Sequence, residues 1–219
     1  MPGWLQTWLK RADPLVDTNL IFVLAGRPHR KLFGLQLFRE SHVPRLILSV
    51  ARFEIRRFKD LPLPEPLDLL PIAEQVAPPE RHFFVIWDSV RNTRTIERIH
   101  PRRYGTLREI EALAKYLEGN RGVKSVLVLT SGLHVRRVRM CCKALIPAGV
   151  KFSVATTATV QSETPATSQD NNKDIKDDTF LATTRELAKL ILYRALLLRR
   201  NRSKERQRTS QHNSGGVPS

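Results

Sequence analysis

The segment Val123–Arg137, VKSVLVLTSGLHVRR, decides the fold of this chain. Its first part is a nearly continuous run of Val and Leu, which is typical of a strand that helices cover on both faces. Ser131 and Gly132 interrupt the run, and the segment His134–Leu145 then places apolar residues three and four positions apart. That spacing is helical, so the segment predicts a strand, a tight turn and a helix in succession.

The same alternation recurs on both sides of this segment. Helical spacing extends over Arg30–His42 and Thr106–Glu118. Four further apolar runs have strand character: Leu20–Gly26, Arg45–Ala51, His82–Asp88 and Lys151–Thr157. Alternating strands and helices predict an α/β fold, a Rossmann-like three-layer sandwich around a mainly parallel sheet of about five strands.

The length of 219 residues favours one elaborated domain, predicted over residues 13–198. Within it, the proline-rich segment Leu61–Pro79 predicts a surface excursion with a short helix near Ile72–Gln75. Ala158–Asp178 has almost nothing to bury and predicts a mobile loop. Phe180–Arg200 follows as a long helix.

The chain is strongly basic, with 37 Lys and Arg against 21 Asp and Glu and a net charge of +16. Residues 199–219 form a predicted disordered basic tail. Residues 1–12 form a predicted amphipathic segment, since Trp4 and Trp8 share one helical stripe, which suits either packing on the domain or an anionic membrane surface. Nucleic acid is the least favoured partner, because no nucleic-acid-binding signature accompanies the charge.

Cysteine usage and hydropathy exclude several classes of protein. Cys141 and Cys142 are neighbours, which excludes a disulfide framework and a thiolate zinc site. The six histidines show no metal-ligand spacing. No apolar run approaches the roughly 20 residues that span a bilayer, and no signal-peptide core is present. The expected location is therefore the cytoplasm, including a peripheral position at the inner membrane face.

In a parallel α/β sheet, ligands bind beyond the carboxyl ends of the strands, so the residues after each strand are the candidate sites. Ser131 is a natural N-cap, Gly132 permits a tight turn, and the free amides of the next helix can bind an anion. His134 and Arg137 are three residues apart and share one helix face near that positive end. A plain N-cap with a solvated basic face explains the same residues.

The turn after the first strand is a second candidate anion site. Gly26 ends the strand, and Arg27 and Arg30 follow it, a pattern that suits a phosphate or a carboxylate. Neither a G-x-G-x-x-G fingerprint nor a P-loop lysine is present, and an ordinary turn explains the pattern as well.

Thr106 and Glu109 stand in capping-box spacing, Thr-Leu-Arg-Glu, before a helical pattern. Capping alone explains them. The functional alternative is that both face the cleft of His134, where a histidine with a nearby carboxylate moves a proton. Asp88, at the end of its strand, is a weaker candidate for the same cleft.

With these pieces in order, the chain resembles the YdcF/SanA/ElyC-like family of bacterial α/β domains. LVLTSGLHVRR, Leu127–Arg137, is similar to the family's strand followed by Thr-Ser-x-x-His-x-x-Arg. VDTNLIFVLAG, Val16–Gly26, is similar to its opening, and Arg30 and the segment Ser41–Ser49 continue the pattern over residues 13–198. The family usually has two glycines after the first strand and Ser-Gly after the second. This chain has Ala25-Gly26 and Ser49-Val50 at those positions. The family's Asn-Thr motif aligns in either of two registers: Gly105-Thr106 with Glu109, or Ser89 with Asn92-Thr93.

The resemblance implies a role in envelope biogenesis, and S-adenosylmethionine binding has been suggested for the family. No methyltransferase glycine signature is visible in this chain. The residues themselves favour a site for a small anionic or phosphorylated ligand at the strand ends, where Ser131 and the amides hold an oxyanion and the arginines neutralise charge. Hydrolase or transferase chemistry and a non-catalytic interaction role both stay open.

Overall fold

The computed structural model describes residues 18–99, 105–156, 186 and 188–197. Three predictions lie outside these residues: the amphipathic segment 1–12, the loop Ala158–Asp178 and the basic tail 199–219. The described chain falls into two compact units, divided between Asn172 and Lys173.

The first unit alternates strands with helices as predicted. Its first half contains β1 (Leu20–Val23), α1 (Pro28–Glu40), β2 (Arg45–Ala51), α2 (Ile55–Phe58), α3 (Leu70–Glu74) and a 3₁₀ turn (Pro78–Glu80). Its second half contains β3 (His82–Asp88), β4 (Thr93–Arg98), α4 (Gly105–Gly119), β5 (Ser125–Thr130), a 3₁₀ turn (Gly132–His134), α5 (Val135–Leu145) and β6 (Lys151–Thr156). The short helix α3 lies in the proline-rich excursion, as expected.

The six strands form one sheet in the order β4-β3-β2-β1-β5-β6. β1 pairs in parallel with β2 and β5, and β5 pairs in parallel with β6. β3 is antiparallel to both β2 and β4, so it runs opposite to every other strand of the sheet. The predicted α/β fold class with a mostly parallel sheet is confirmed.

The sixth strand, β4, was not predicted. Its sequence, TRTIER, alternates charged and β-branched residues, and its side chains are mostly exposed. Among the described strands it lies at one edge of the sheet, where charged residues are common. A search for continuous apolar runs misses such a strand.

The core lies on both faces of the sheet. β1 is fully buried along its length, and the inner strands β2, β3 and β5 are nearly so. Gly34 on α1 allows the helix to approach the sheet closely, because a Cβ at that position would overlap the Val23 side chain. On α4, Ile110, Leu113 and Leu117 form the buried stripe that the spacing of three and four predicts.

In the second unit, residue 186 and residues 188–197 are helical, in agreement with the predicted helix Phe180–Arg200 over the described residues. Lys189 Nζ donates a hydrogen bond to Glu186 Oε1 at 2.8 Å within this helix. Over the part of the chain that the structure describes, no helix has the length and apolar character needed to cross a membrane.

Candidate ligand site at the carboxyl edge of the sheet

The reversed direction of β3 decides which side chains meet at each edge of the sheet. Ala51, the last residue of β2, pairs with His82, the first residue of β3, while Arg45 pairs with Asp88 at the other edge. β1, β5 and β6 end at the edge that holds His82. We call this edge the carboxyl edge and the other one the amino edge.

Asp88 therefore lies at the amino edge, and the expectation that it reaches the cleft is wrong. Its carboxylate Oδ2 accepts a hydrogen bond from Arg45 Nε at 2.7 Å, and Oδ1 accepts from the backbone amides of Val90 and Arg91. The turn from Ser89 to Thr93 lies at the same edge, so that register of the Asn-Thr motif is remote from Gly26.

Glu109 is the centre of a buried polar cluster at the carboxyl edge. Its Oε1 accepts hydrogen bonds from the Ala25 amide at 2.7 Å and from the Ser49 hydroxyl at 2.6 Å. His82 Nε2 lies 2.7 Å from Ser49 Oγ and 3.7 Å from Glu109 Oε1. Because the Ser49 proton is donated to Glu109, His82 must donate its Nε2 proton to the Ser49 oxygen.

The surroundings of Glu109 favour its ionised form. Burial acts to raise the pKa of this carboxyl, but the neighbouring His82 and the hydrogen bonds from Ser49 and Ala25 outweigh it and hold the pKa below its ordinary value. Ser49, His82 and Glu109 are all buried. The cluster therefore holds a buried negative charge inside the domain, beneath the ends of β1 and β2.

The capping-box interpretation of Thr106 and Glu109 is wrong. The helix α4 already begins at Gly105, so Thr106 stands inside its first turn, where it is half-buried. The carboxylate of Glu109 contacts Ala25 and Ser49 across the sheet instead of turning back to cap its own helix.

Arg30 joins the turns after β1 and β5. Its Nη1 donates hydrogen bonds to the carbonyls of Leu24 at 3.1 Å and Ala25 at 2.7 Å, and its Nη2 donates to Ser131 Oγ. Gly26 has φ of +146°, and a Cβ there would lie 3.0 Å from Arg30 Nη2. Glycine is therefore needed at this turn both for its backbone conformation and for space.

Ser131 does not cap a helix with its side chain as expected. Its carbonyl accepts the His134 amide at 2.9 Å in the 3₁₀ turn, while its hydroxyl accepts from Arg30. Gly132 and His134 lie half-buried in this turn, and Arg137 is buried in the first turn of α5.

Hydrogen bonds around Ala25 thus join Arg30, Glu109 and Ser131, and Gly26 lies in the same turn beside the Arg30 guanidinium. Arg27 is exposed beside them. The histidine that faces Glu109 is His82 rather than His134.

Ser49 and His82 were not among the predicted site residues. Ser49 carried a signal only through the resemblance described above, in which it corresponds to a serine after the second strand. His82 carried none, because its position depends on the antiparallel direction of β3, which the sequence does not reveal.

A second buried pair lies next to this cluster. Lys31 Nζ donates to Glu54 Oε1, and Glu54 Oε2 accepts the Ala51 amide at 3.0 Å. Burial lowers the pKa of Lys31, and the attraction of Glu54 opposes that effect. Buried charges cost stability unless they are paired, so two such groups at one edge mark it as a functional-site candidate.

Other chemically reactive residues offer less. Cys141 is buried, and burial raises the pKa of its thiol to about 12, so it is not a nucleophile at neutral pH. Among the described residues, no group of three or more His, Cys, Asp or Glu is placed to hold a metal ion.

These features define the class: an α/β protein with a mostly parallel sheet and a buried cluster of charged and polar groups at its carboxyl edge. No protein-family model, curated protein or solved structure significantly matches the chain.

Proposed function

We propose that the carboxyl edge binds a small anionic or phosphorylated ligand between the turns that follow β1 and β5. The chain leaves β1 toward β2 on one side and returns to β5 on the other, so the order of strands reverses between β1 and β5. Ligands of open α/β sheets bind at this switch point, outside the carboxyl ends of the strands. The observation that carries the proposal is the Arg30 side chain, which spans the switch point from Ala25 to Ser131.

The helices that start at this edge add positive potential. The helix α1 has 13 residues and begins just after Arg27, and α5 has 11 residues and begins just after His134. Both amino ends face the switch point, and a helix amino end attracts an anion through its free amides and its dipole.

The charged side chains at this edge also favour an anion. In the described loops that follow β1, β2 and β5, the single acidic residue is Glu54, and Lys31 neutralises it. The carboxylate of Glu109, which reaches this edge from α4, is buried, with Arg30 and His82 close to it. Arg27, Arg52, Arg56 and Arg57 are exposed in or next to the same loops. The resulting positive potential would concentrate anions at the cleft.

We also propose that the chain belongs to the YdcF/SanA/ElyC-like family, on the residues Leu127–Arg137 and Val16–Gly26. A role in envelope biogenesis and S-adenosylmethionine as the ligand are proposals that depend on this resemblance. The geometry supports binding more directly than turnover, because Ser49 and Glu109 are buried and hydrogen-bonded to each other. Two alternatives are proposals of a different class. Binding to an anionic membrane surface rests on residues 1–12 and 199–219, and binding to nucleic acid rests on the overall positive charge.

Calorimetric titration with inorganic phosphate and a panel of sugar phosphates and nucleotides tests this proposal. Arg27→Ala should weaken phosphate binding severalfold, since it removes an exposed cation from the cleft. Arg121→Ala is the matched control, because Arg121 is also exposed but lies before β5, at the amino edge. Equal affinity in both variants would attribute any binding to overall charge and refute the site.

His134→Ala tests the other side of the cleft. We expect the variant to fold and to lose ligand affinity, because His134 lies in the turn that directly follows Ser131. A ligand at about 100 times its dissociation constant stabilises the native state by about 2.7 kcal/mol. The wild-type protein should therefore show a ligand-dependent rise in Tm that His134→Ala lacks.

A further inference from the structure

A cavity of about 420 Å³ opens between the turn after β1 and the helix α2, directly beside the proposed anion site. Gly26 forms part of its wall, so the cavity and the anion site share the same turn. The cavity is large enough for a small organic molecule, since ligand pockets range from about 300 to 1,000 Å³.

Most of the cavity wall is apolar. Pro28, Phe53, Phe58 and Leu61 contribute carbon atoms to it. Phe58 is 1% exposed and anchored in the core, whereas Phe53 is 69% exposed. An exposed aromatic side chain on a concave apolar surface leaves apolar area in water that a ligand can cover.

The charged residues of the cavity are arranged to attract an anion at its border. Lys31 and Glu54 form part of the wall, but they neutralise each other. Arg27 and Arg57 also line the cavity, and both are exposed. Over the described residues, neither of these arginines forms an ion pair, so their charge remains available to a ligand.

We propose that this cavity holds the apolar part of an organic phosphate whose phosphate group binds at the turn of Gly26 and Arg27. The inference rests on the proposed function and narrows its ligand class from small anions in general to anions that carry an aromatic ring or an alkyl chain. Apolar lining and a cationic border in one cavity match a molecule with both characters.

Titration of the full chain with 1-naphthyl phosphate, hexyl phosphate and inorganic phosphate tests the inference. We expect at least one of the organic phosphates to bind about tenfold or more tightly than inorganic phosphate, because it removes additional apolar surface from water. The comparison of the naphthyl with the hexyl probe shows whether the cavity prefers an aromatic ring or an alkyl chain. Tighter binding of the naphthyl probe indicates stacking on Phe53.

Two variants assign the gain to the cavity. Phe53→Ala should remove most of the preference for the organic phosphate and leave the affinity for inorganic phosphate unchanged. Because Phe53 is largely exposed, its loss should leave folding intact, and Leu61→Ser provides a second change in the same wall. Val90→Ala is the control, since Val90 is 74% exposed but lies in the turn at the amino edge.

The outcomes separate this inference from the proposed function. Equal affinity for all three phosphates, or an organic preference that survives both cavity variants, would overturn the inference and leave the anion site standing. Failure of all three phosphates to bind would overturn both.

Discussion

The two edges of the sheet both carry buried or half-buried polar side chains, but they use them differently. At the amino edge, Asn19 Oδ1 accepts hydrogen bonds from the amides of Lys124 and Ser125, and Asp88 binds Arg45 and its own turn. These contacts hold the start of β5 beside the start of β1, and the end of β3 with its following turn beside the start of β2. At the carboxyl edge, Glu109 and Arg30 reach from helices into the loops at the ends of the strands.

The two edges differ in the free-energy cost of burying their polar groups. At the amino edge Asp88 is buried as well, but its partners Arg45, Val90 and Arg91 are half-buried or exposed. The carboxyl edge buries Glu109, His82, Arg30, Lys31 and Glu54, each of which must be paired to be tolerated. A carboxylate whose partners reach solvent does not require this arrangement, so the carboxyl edge, where buried groups pair with one another, is the functional candidate.

The largest expected effect is that of Glu109→Ala. The change leaves the Ala25 amide and the Ser49 hydroxyl without their acceptor and His82 without the neighbouring carboxylate, which should cost about 3 kcal/mol of unfolding free energy. Asp88→Ala at the amino edge should cost less, about 1–2 kcal/mol, because its partners are closer to water. Denaturant unfolding of both variants measures the difference, and an equal or reversed order would contradict the distinction between the edges.

The two turn glycines provide a second comparison. Gly26→Ala forces a side chain into a φ of +146° against Arg30 and should cost about 1–3 kcal/mol. Gly122, in the turn before β5 at the amino edge, has open space where an added methyl group would lie, so Gly122→Ala should change the unfolding free energy by about 0.5 kcal/mol or less. Thermal unfolding of the pair checks this prediction, and similar Tm losses would refute the strain assigned to Gly26.

The response to acid compares the two carboxylates directly. Burial acts to raise the pKa of Asp88, but the hydrogen bonds from Arg45, Arg91 and Val90 hold it below its ordinary value, and the pKa of Glu109 is lowered likewise. Each carboxylate therefore adds stability above its unfolded pKa of about 4, and that stability is lost as the pH falls through the lower folded value.

Unfolding free energies measured from pH 6 to pH 2 test the sign. Glu109→Gln and Asp88→Asn should each make the loss of stability toward low pH less steep than in the wild type. A wild-type slope that both variants retain would show that neither carboxylate has a lowered pKa in the folded protein.

The sequence predicts most of the architecture, because the buried strands are continuous apolar runs and the helices have regular spacing. It misses β4, whose charged residues suit an edge. It also leaves the direction of β3 undetermined, since the proline-rich excursion between β2 and β3 is long enough to reach either edge of the sheet.

The site was predictable where strand ends define it. Gly26, Arg30 and Ser131 follow directly from the positions after β1 and β5. The contacts of Glu109 with Ser49 and His82 were not predictable, because they depend on the direction of β3 and on the face of α4 that meets the sheet. The capping-box pattern explained Thr106 and Glu109 locally, so a role of Glu109 in the cleft was only an alternative, and the histidine expected beside it was His134.

The unpredicted strand β4 has a consequence for the behaviour of the protein in concentrated solution. An open strand edge is a template on which a second chain can add by backbone pairing, and such addition leads to aggregation. Nη1 of Arg94 in β4 lies 3.0 Å from Oε2 of Glu65, and Nη1 of Arg98 lies 3.5 Å from Oε2 of Glu80. These ion pairs connect β4 to the proline-rich excursion and to the 3₁₀ turn that follows it. A neighbouring molecule would have to displace these ion pairs and bury their charges, which protects this side of the sheet from growth.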